Sequence, residues 1–189
     1  MAGDTLRDDD ALHSRDFAQP GFAPHGEFSL RFEDDLLIWD LHGPFNAEAM
    51  QCFRPLRRAA FARWPLADRW LAALVHWHGS ALMAPEAFAT YRDSLQAFLR
   101  THGRMLVVAW VAGPEVEGLD FVRRDFEQLY RSEGVDFRLF SQVDAAKVWL
   151  REQLRTLAAT GEAAQAPAPN LSRSMSMNCQ KSVQNNWRR

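Results

Sequence analysis

Cysteine and lysine are both scarce in this chain. Cys52 and Cys179 are its only cysteines, and Lys147 and Lys181 its only lysines, against 20 arginines. With so few thiols, and one of them in a polar tail, no structural disulfide is expected, which fits a reducing compartment. The arginine excess reads as the coding bias of a GC-rich genome rather than a surface built for phosphate. A formal net charge of -2 supplies no overall field to gather nucleic acid or acidic lipid. Long apolar runs are missing as well. The longest, residues 105–112, is eight residues, far short of a bilayer span. The first 26 residues lack the basic start and apolar stretch of a secretory leader. The expected location is therefore the cytoplasm, with neither membrane nor nucleic acid as a partner.

Catalytic signatures are absent too. There is no Gly-x-Gly-x-x-Gly after a strand, no Walker sequence and no Gly-x-Ser-x-Gly. No cofactor is expected, and an enzyme is not the leading reading.

What the chain has is material for a core. Hydrophobic residues make up 47% of its 189 positions, with 13 Phe and 7 Trp, enough for one domain plus tails. Residues 1–26 are polar and punctuated by Asp8-Asp9-Asp10, Pro20-Gly21 and Pro24, and are expected to be a disordered lead-in. From Phe28 the pattern alternates with period two, turns at Glu33-Asp34-Asp35 and returns through residues 36–41: a β-hairpin. Asn46 is a good helix cap, and Pro55 either kinks the following helix or opens a second one. The arginines at 54, 57, 58 and 63 read as its solvated face. Residues 70–77 and 105–111 are nearly all apolar, as central strands covered on both faces should be. Helical stripes follow at Phe88, Tyr91, Leu95, Phe98 and at Leu119, Val122, Phe126, Leu129, the second closed by Gly134. A short strand at 135–140 precedes a closing helix with an inward stripe of Val143, Ala146, Leu150 and Leu154. Strands alternating with helices predict an α/β domain over 27–157, with a single mixed, mostly parallel β-sheet. Residues 158–189 turn to alanine, proline, serine and basic side chains, and are expected to be a disordered tail, or an arm for an acidic partner.

In open α/β sheets ligands meet the carboxyl ends of the strands. Here those ends lead into His42, Gly43 and Asn46, into His78, Gly79 and Ser80, and into Gly113 and Glu115, and parallel pairing would bring all three turns to one rim. His76 and His78, two apart on a strand, share a face, and with His42 they could form a metal site. The plainer alternative is three histidines packed or simply exposed. Ser80 is a candidate for phosphorylation, or for plain loop capping. Cys52 lacks an activating positive neighbourhood and reads as a packed thiol. Glu115 and Glu117 could serve acid–base work, though solvated loop charges are commoner. The tryptophans lack interleaved basic residues, so they read as packing rather than a base-stacking platform.

Three strings carry a family resemblance: LLIWDLHGPFNAEAM, HGSALMAPEAF and VDFRLFSQVDAAKVWLREQL. With the element order, they make residues 27–157 resemble bacterial STAS, or anti-sigma-factor-antagonist-like (SpoIIAA-like), domains. That resemblance implies a non-enzymatic regulatory or interaction module that binds a protein or small ligand, in some members switched by phosphorylation of a serine at the position nearest Ser80. His78-Gly79 stands here where the family has an acidic residue and a tight serine pair. The alternative expectation is a metal-dependent enzyme using His42, His76 and His78. A homodimer through exposed aromatic side chains is a further expectation.

Overall fold

The computed structural model describes residues 10–19, 23–67, 69–102 and 106–165. A two-residue strand β1 (Leu12–His13) and a 3-10 turn (Ser14–Phe17) precede the hairpin of β2 (Glu27–Glu33) and β3 (Leu36–His42). There follow α1 (Ala47–Gln51), α2 (Phe53–Arg63), β4 (Leu71–His78), α3 (Pro85–His102), β5 (Leu106–Val111), α4 (Leu119–Glu133), β6 (Asp136–Phe140) and α5 (Val143–Gln165). All six strands form one sheet in chain order. The first three pair antiparallel, and β3 through β6 pair parallel. The mixed, mostly parallel α/β sheet expected from the alternation is the one observed. No described helix is long and apolar enough to cross a membrane.

The structure departs from the sequence reading at both margins of the domain. Within the expected lead-in, Leu12 pairs with Leu30, and Leu12 and Phe17 pack against the core. The buried Ser14 hydroxyl accepts a hydrogen bond from Phe28 N at 3.0 Å. Two apolar anchors and one well-placed hydroxyl order this piece, a signal that average polarity conceals. At the other margin α5 runs on to Gln165, past the boundary expected at 157, because the alanine-rich stretch is a good helix former. The remaining tail, with Cys179 and Lys181, lies outside the described residues.

Pro55 opens a second helix. The chain breaks at Cys52, and Pro55 sits in the first turn of α2, where a backbone N–H has no helical partner to lose. Cys52 is 1% exposed and directs its thiol to the Glu48 carbonyl, and burial pushes the thiol's pKa up. Arg57 is not part of a solvated basic face. Its guanidinium lies over the Phe53 and Phe98 rings and donates to the Ser94 carbonyl at 3.1 Å. Burial lowers its pKa to about 10.

The two faces of the sheet are covered unequally. One carries Phe28, Leu30, Trp39, Trp77, Val108 and Trp110 against the four helices α1 to α4, around an apolar cavity of about 80 Å³. The other carries Leu36, Ile38, Ala72, Leu74, Val107, Ala109 and Val111 against Ala146 and Leu150 of α5, the one helix that covers it among the described residues. Gly134, with φ of 69°, closes α4 in the left-handed conformation that glycine adopts without strain.

Tyr91 and Tyr130, the only tyrosines, share a hydrogen bond of 2.8 Å between their hydroxyls. Burial raises Tyr91 to about 12 and Tyr130 well above the usual tyrosine range. Raised folded-state values mean the unfolded chain releases these protons first. The stability tied to the neutral pair is thus intact below pH about 10 and is lost as pH climbs from there through about 12. At neutral pH, Tyr91→Phe should cost about 1–3 kcal/mol by stranding the buried Tyr130 hydroxyl, whereas Tyr91→Phe/Tyr130→Phe should be nearly neutral. In urea titrations across pH 8–12 the double variant should also lose much of the alkaline decline. An unchanged pH profile in that variant would refute the assignment.

Candidate functional site

The β3 and β4 side chains facing α5 change character partway along each strand. On β3 the series Leu36, Ile38, Asp40, His42 passes from apolar to polar, and on β4 the series Ala72, Leu74, His76, His78 does the same. Parallel register sets Asp40 beside His76 and His42 beside His78. The reason lies in the path of α5. The helix starts with Val143 beside Val111 and Phe140, and its Lys147 and Arg151 reach Glu33 and Asp34 at the β2–β3 turn, each at 3.0 Å. Crossing in this diagonal, it covers the amino-terminal half of β3 and β4 on this face and, among the described residues, leaves their carboxyl ends open. The polar residues occupy that uncovered corner.

Asp40 is the hub. Its Oδ1 lies 3.2 Å from His78 Nε2 and 3.5 Å from His76 Nδ1, while Arg31, across the hairpin, donates to Oδ2. Burial alone would raise the Asp40 carboxyl, but the Arg31 charge and hydrogen bonds from His78 and Arg31 outweigh it and hold the group below the usual carboxylate range. Burial, and then the neighbouring His78, push His76 down. The hydrogen bond from Lys147 lowers Glu33 against a smaller opposing effect of burial. The ligand atoms of Asp40, His76 and His78 all lie within 4.8 Å of one another. His42, expected as the third imidazole, falls outside this set: it stacks flat on His78, ring centres 4.4 Å apart. Asp40 takes its place.

Next to the cluster lies a cleft of about 380 Å³, walled by His76 and Val111, by Gly113, Pro114 and Glu115 after β5, and by residues 141–144 at the start of α5. His76 belongs to both features. The three turns after β3, β4 and β5 do meet at one edge, joined by backbone hydrogen bonds from Gly43 N to Ser80 O, Ala81 N to Glu117 O and Glu117 N to Gly79 O. Gly43 permits this approach, since a β-carbon there would strike the Ser80 carbonyl.

Other expected rim residues are already engaged. Asn46 caps α1 through Ala49 N, accepts from His25 N and donates to the Ala23 carbonyl. Ser80 is 6% exposed, its hydroxyl accepts from Leu82 N at 3.3 Å, and α3 starts only at Pro85. It caps its own turn, and a phosphate on it would meet no free helix N-terminus, so the geometry does not favour the phosphosite expected there. Gly79 adopts φ of 65° facing open space, and Glu115 is exposed on the cleft wall. Asp40, Arg31, Ser141 and Asp144 were not anticipated from sequence. The period-two switch from apolar to polar at Asp40 and His76 was the available signal, but pairing them needs the strand register.

Comparisons with protein-family models, with curated proteins and with solved structures returned no match for this chain.

Proposed function

We propose that this chain is a non-enzymatic regulatory or interaction module of the STAS-like kind, which binds a small polar ligand, or a polar segment of a partner protein, at the α5 side of the strand-end rim. The observation that carries this reading is the cleft itself. It lies at the carboxyl ends of parallel strands, where α/β sheets hold ligands, and is lined by His76, Glu115, Ser141, Gln142 and Asp144. Its walls supply hydrogen-bond donors and acceptors. Ser80 has no part as a switch in this reading.

Gly113 offers the cleanest test. A β-carbon there would first meet the Glu115 carboxylate, the end of an exposed side chain that can swing away, so Gly113→Leu should fold while narrowing the cleft. Amide spectra of the labelled protein titrated with a fragment library should show hits that shift Gly113, Glu115 and residues 141–144. Those hits should weaken at least about tenfold in Gly113→Leu, an increment of about 1.4 kcal/mol. Hits that map elsewhere, or that bind the variant unchanged, would remove the reading.

A further inference from the structure

We infer that Asp40, His76 and His78 form a binding site for one divalent transition-metal ion, with zinc or iron(II) the class the ligands suit. The inference deepens the reading of this face as a binding surface by naming the chemistry of its ligand, and it rests on that reading for its location.

Distances come first. Around an ion with bonds of about 2.0–2.1 Å, tetrahedral ligand atoms stand about 3.3 Å apart. Asp40 Oδ1 is 3.2 Å from His78 Nε2 and 3.5 Å from His76 Nδ1. Hydrogen bonding accounts for the His78 contact, but at 3.5 Å the His76 nitrogen gains little from it. The two imidazoles, two apart on one face of β4, sit with ring centres 4.0 Å apart and both approach the same oxygen. The three ligand atoms lie within 4.8 Å of one another, a span that one cation among them would draw together.

The surroundings are those of a supported site. All three ligands stand on β3 and β4, strands with neighbours on both sides, so the backbone under them is rigid. Arg31 holds the far carboxylate oxygen and leaves Oδ1 turned to the histidines, as an outer partner orients a ligand. Its positive charge is partly offset by Glu33, 3.5 Å away. Two imidazoles and a carboxylate favour borderline ions over calcium or magnesium, which prefer an all-oxygen shell. The side chains of the three ligands are 20–33% exposed, so coordination positions stay open toward solvent and, past His76, toward the cleft. Open positions fit an ion that presents itself to a second ligand, not one sealed in to staple the fold.

The test is a calorimetric titration of zinc into the metal-stripped full-length protein. One ion per chain is expected, and His76→Ala and His78→Ala should each weaken binding about 100-fold or more, while His42→Ala changes it less than about threefold. A rise in melting temperature with zinc, present in the parent and absent in His76→Ala, keeps the result readable if a variant is less stable. Failure to bind zinc stoichiometrically, equal affinity in His76→Ala, or a loss in His42→Ala matching the other two would each overturn the site. The two readings fail separately. If zinc does not bind but fragments still depend on Gly113, only the metal is lost. If zinc binds and Gly113→Leu leaves fragment binding unchanged, only the cleft is lost.

Discussion

Trp110→Ala should lower the stability of the protein by about 3–5 kcal/mol, the cost of emptying a large aromatic from a packed core. Trp110 is 1% exposed near the carboxyl end of β5. Its indole meets Trp77, Phe126 and Phe137 edge-on, with ring centres 4.8, 4.8 and 5.3 Å away, and Tyr130 lies at 6.4 Å. It therefore joins β4, α4 and β6 through one side chain. Two features push the cost toward the upper end. The residue already borders the apolar cavity of about 80 Å³, so truncation enlarges an existing void instead of opening one that neighbours can fill. The surrounding rings are rigid and cannot reach inward without leaving their rotamers. The measurement is a urea titration followed by far-ultraviolet circular dichroism, which does not depend on the tryptophan removed. The midpoint should fall with little change in slope. A loss under about 1 kcal/mol would show that the interior relaxes around the gap, contrary to the packing inferred here.

The sequence disclosed the fold more readily than the site, and particular residues show why. Leu119, Val122, Phe126 and Leu129 lie on one helical stripe because burial repeats with the helix turn, and period is a property of the sequence itself. Asn46 announced a helix start through local chemistry, and its side chain does accept from Ala49 N. Asp40 carries no such local mark. Its partners are 36 and 38 positions downstream, and only the register between β3 and β4 makes them neighbours. His42 shows the converse: its strand position suggested convergence with the other imidazoles, but its ring stacks on His78 and it stands outside the cluster of close ligand atoms. Ser14 was hidden for a third reason. A single hydroxyl and two apolar anchors can order a short segment whose composition averages to a loop.

Leu150→Ala should destabilise the chain by about 2–5 kcal/mol, although it lies far from the larger aromatic core. The argument turns on how unevenly the sheet is covered. Four helices share the burial of one face, so no single one of them carries the whole of that contact. On the other face the only described cover over Leu36, Ile38, Ala72, Leu74, Val107 and Ala109 is α5, and Leu150 is fully buried in the middle of that contact. Shortening it opens a void in the contact that it makes together with Ala146 and the partly buried Val143, Trp149 and Leu154. Val148, two residues earlier on the same helix, is 66% exposed, and Val148→Ala should stay within about 0.5 kcal/mol of the parent. Comparable losses in the two variants would mean that α5 does not dock through the Leu150 stripe. The same contact bears on the candidate site. Val143 and Asp144 wall the cleft from the first turn of α5, and Lys147 ties the next turn to Glu33. Loosening the helix should therefore widen the cleft before it disturbs Asp40, His76 and His78, which stand on strands. Under native conditions, Leu150→Ala should bind cleft ligands more weakly and keep its affinity for zinc. A parallel loss of both would place the metal ligands under the control of α5, and the separation between cluster and cleft would no longer hold.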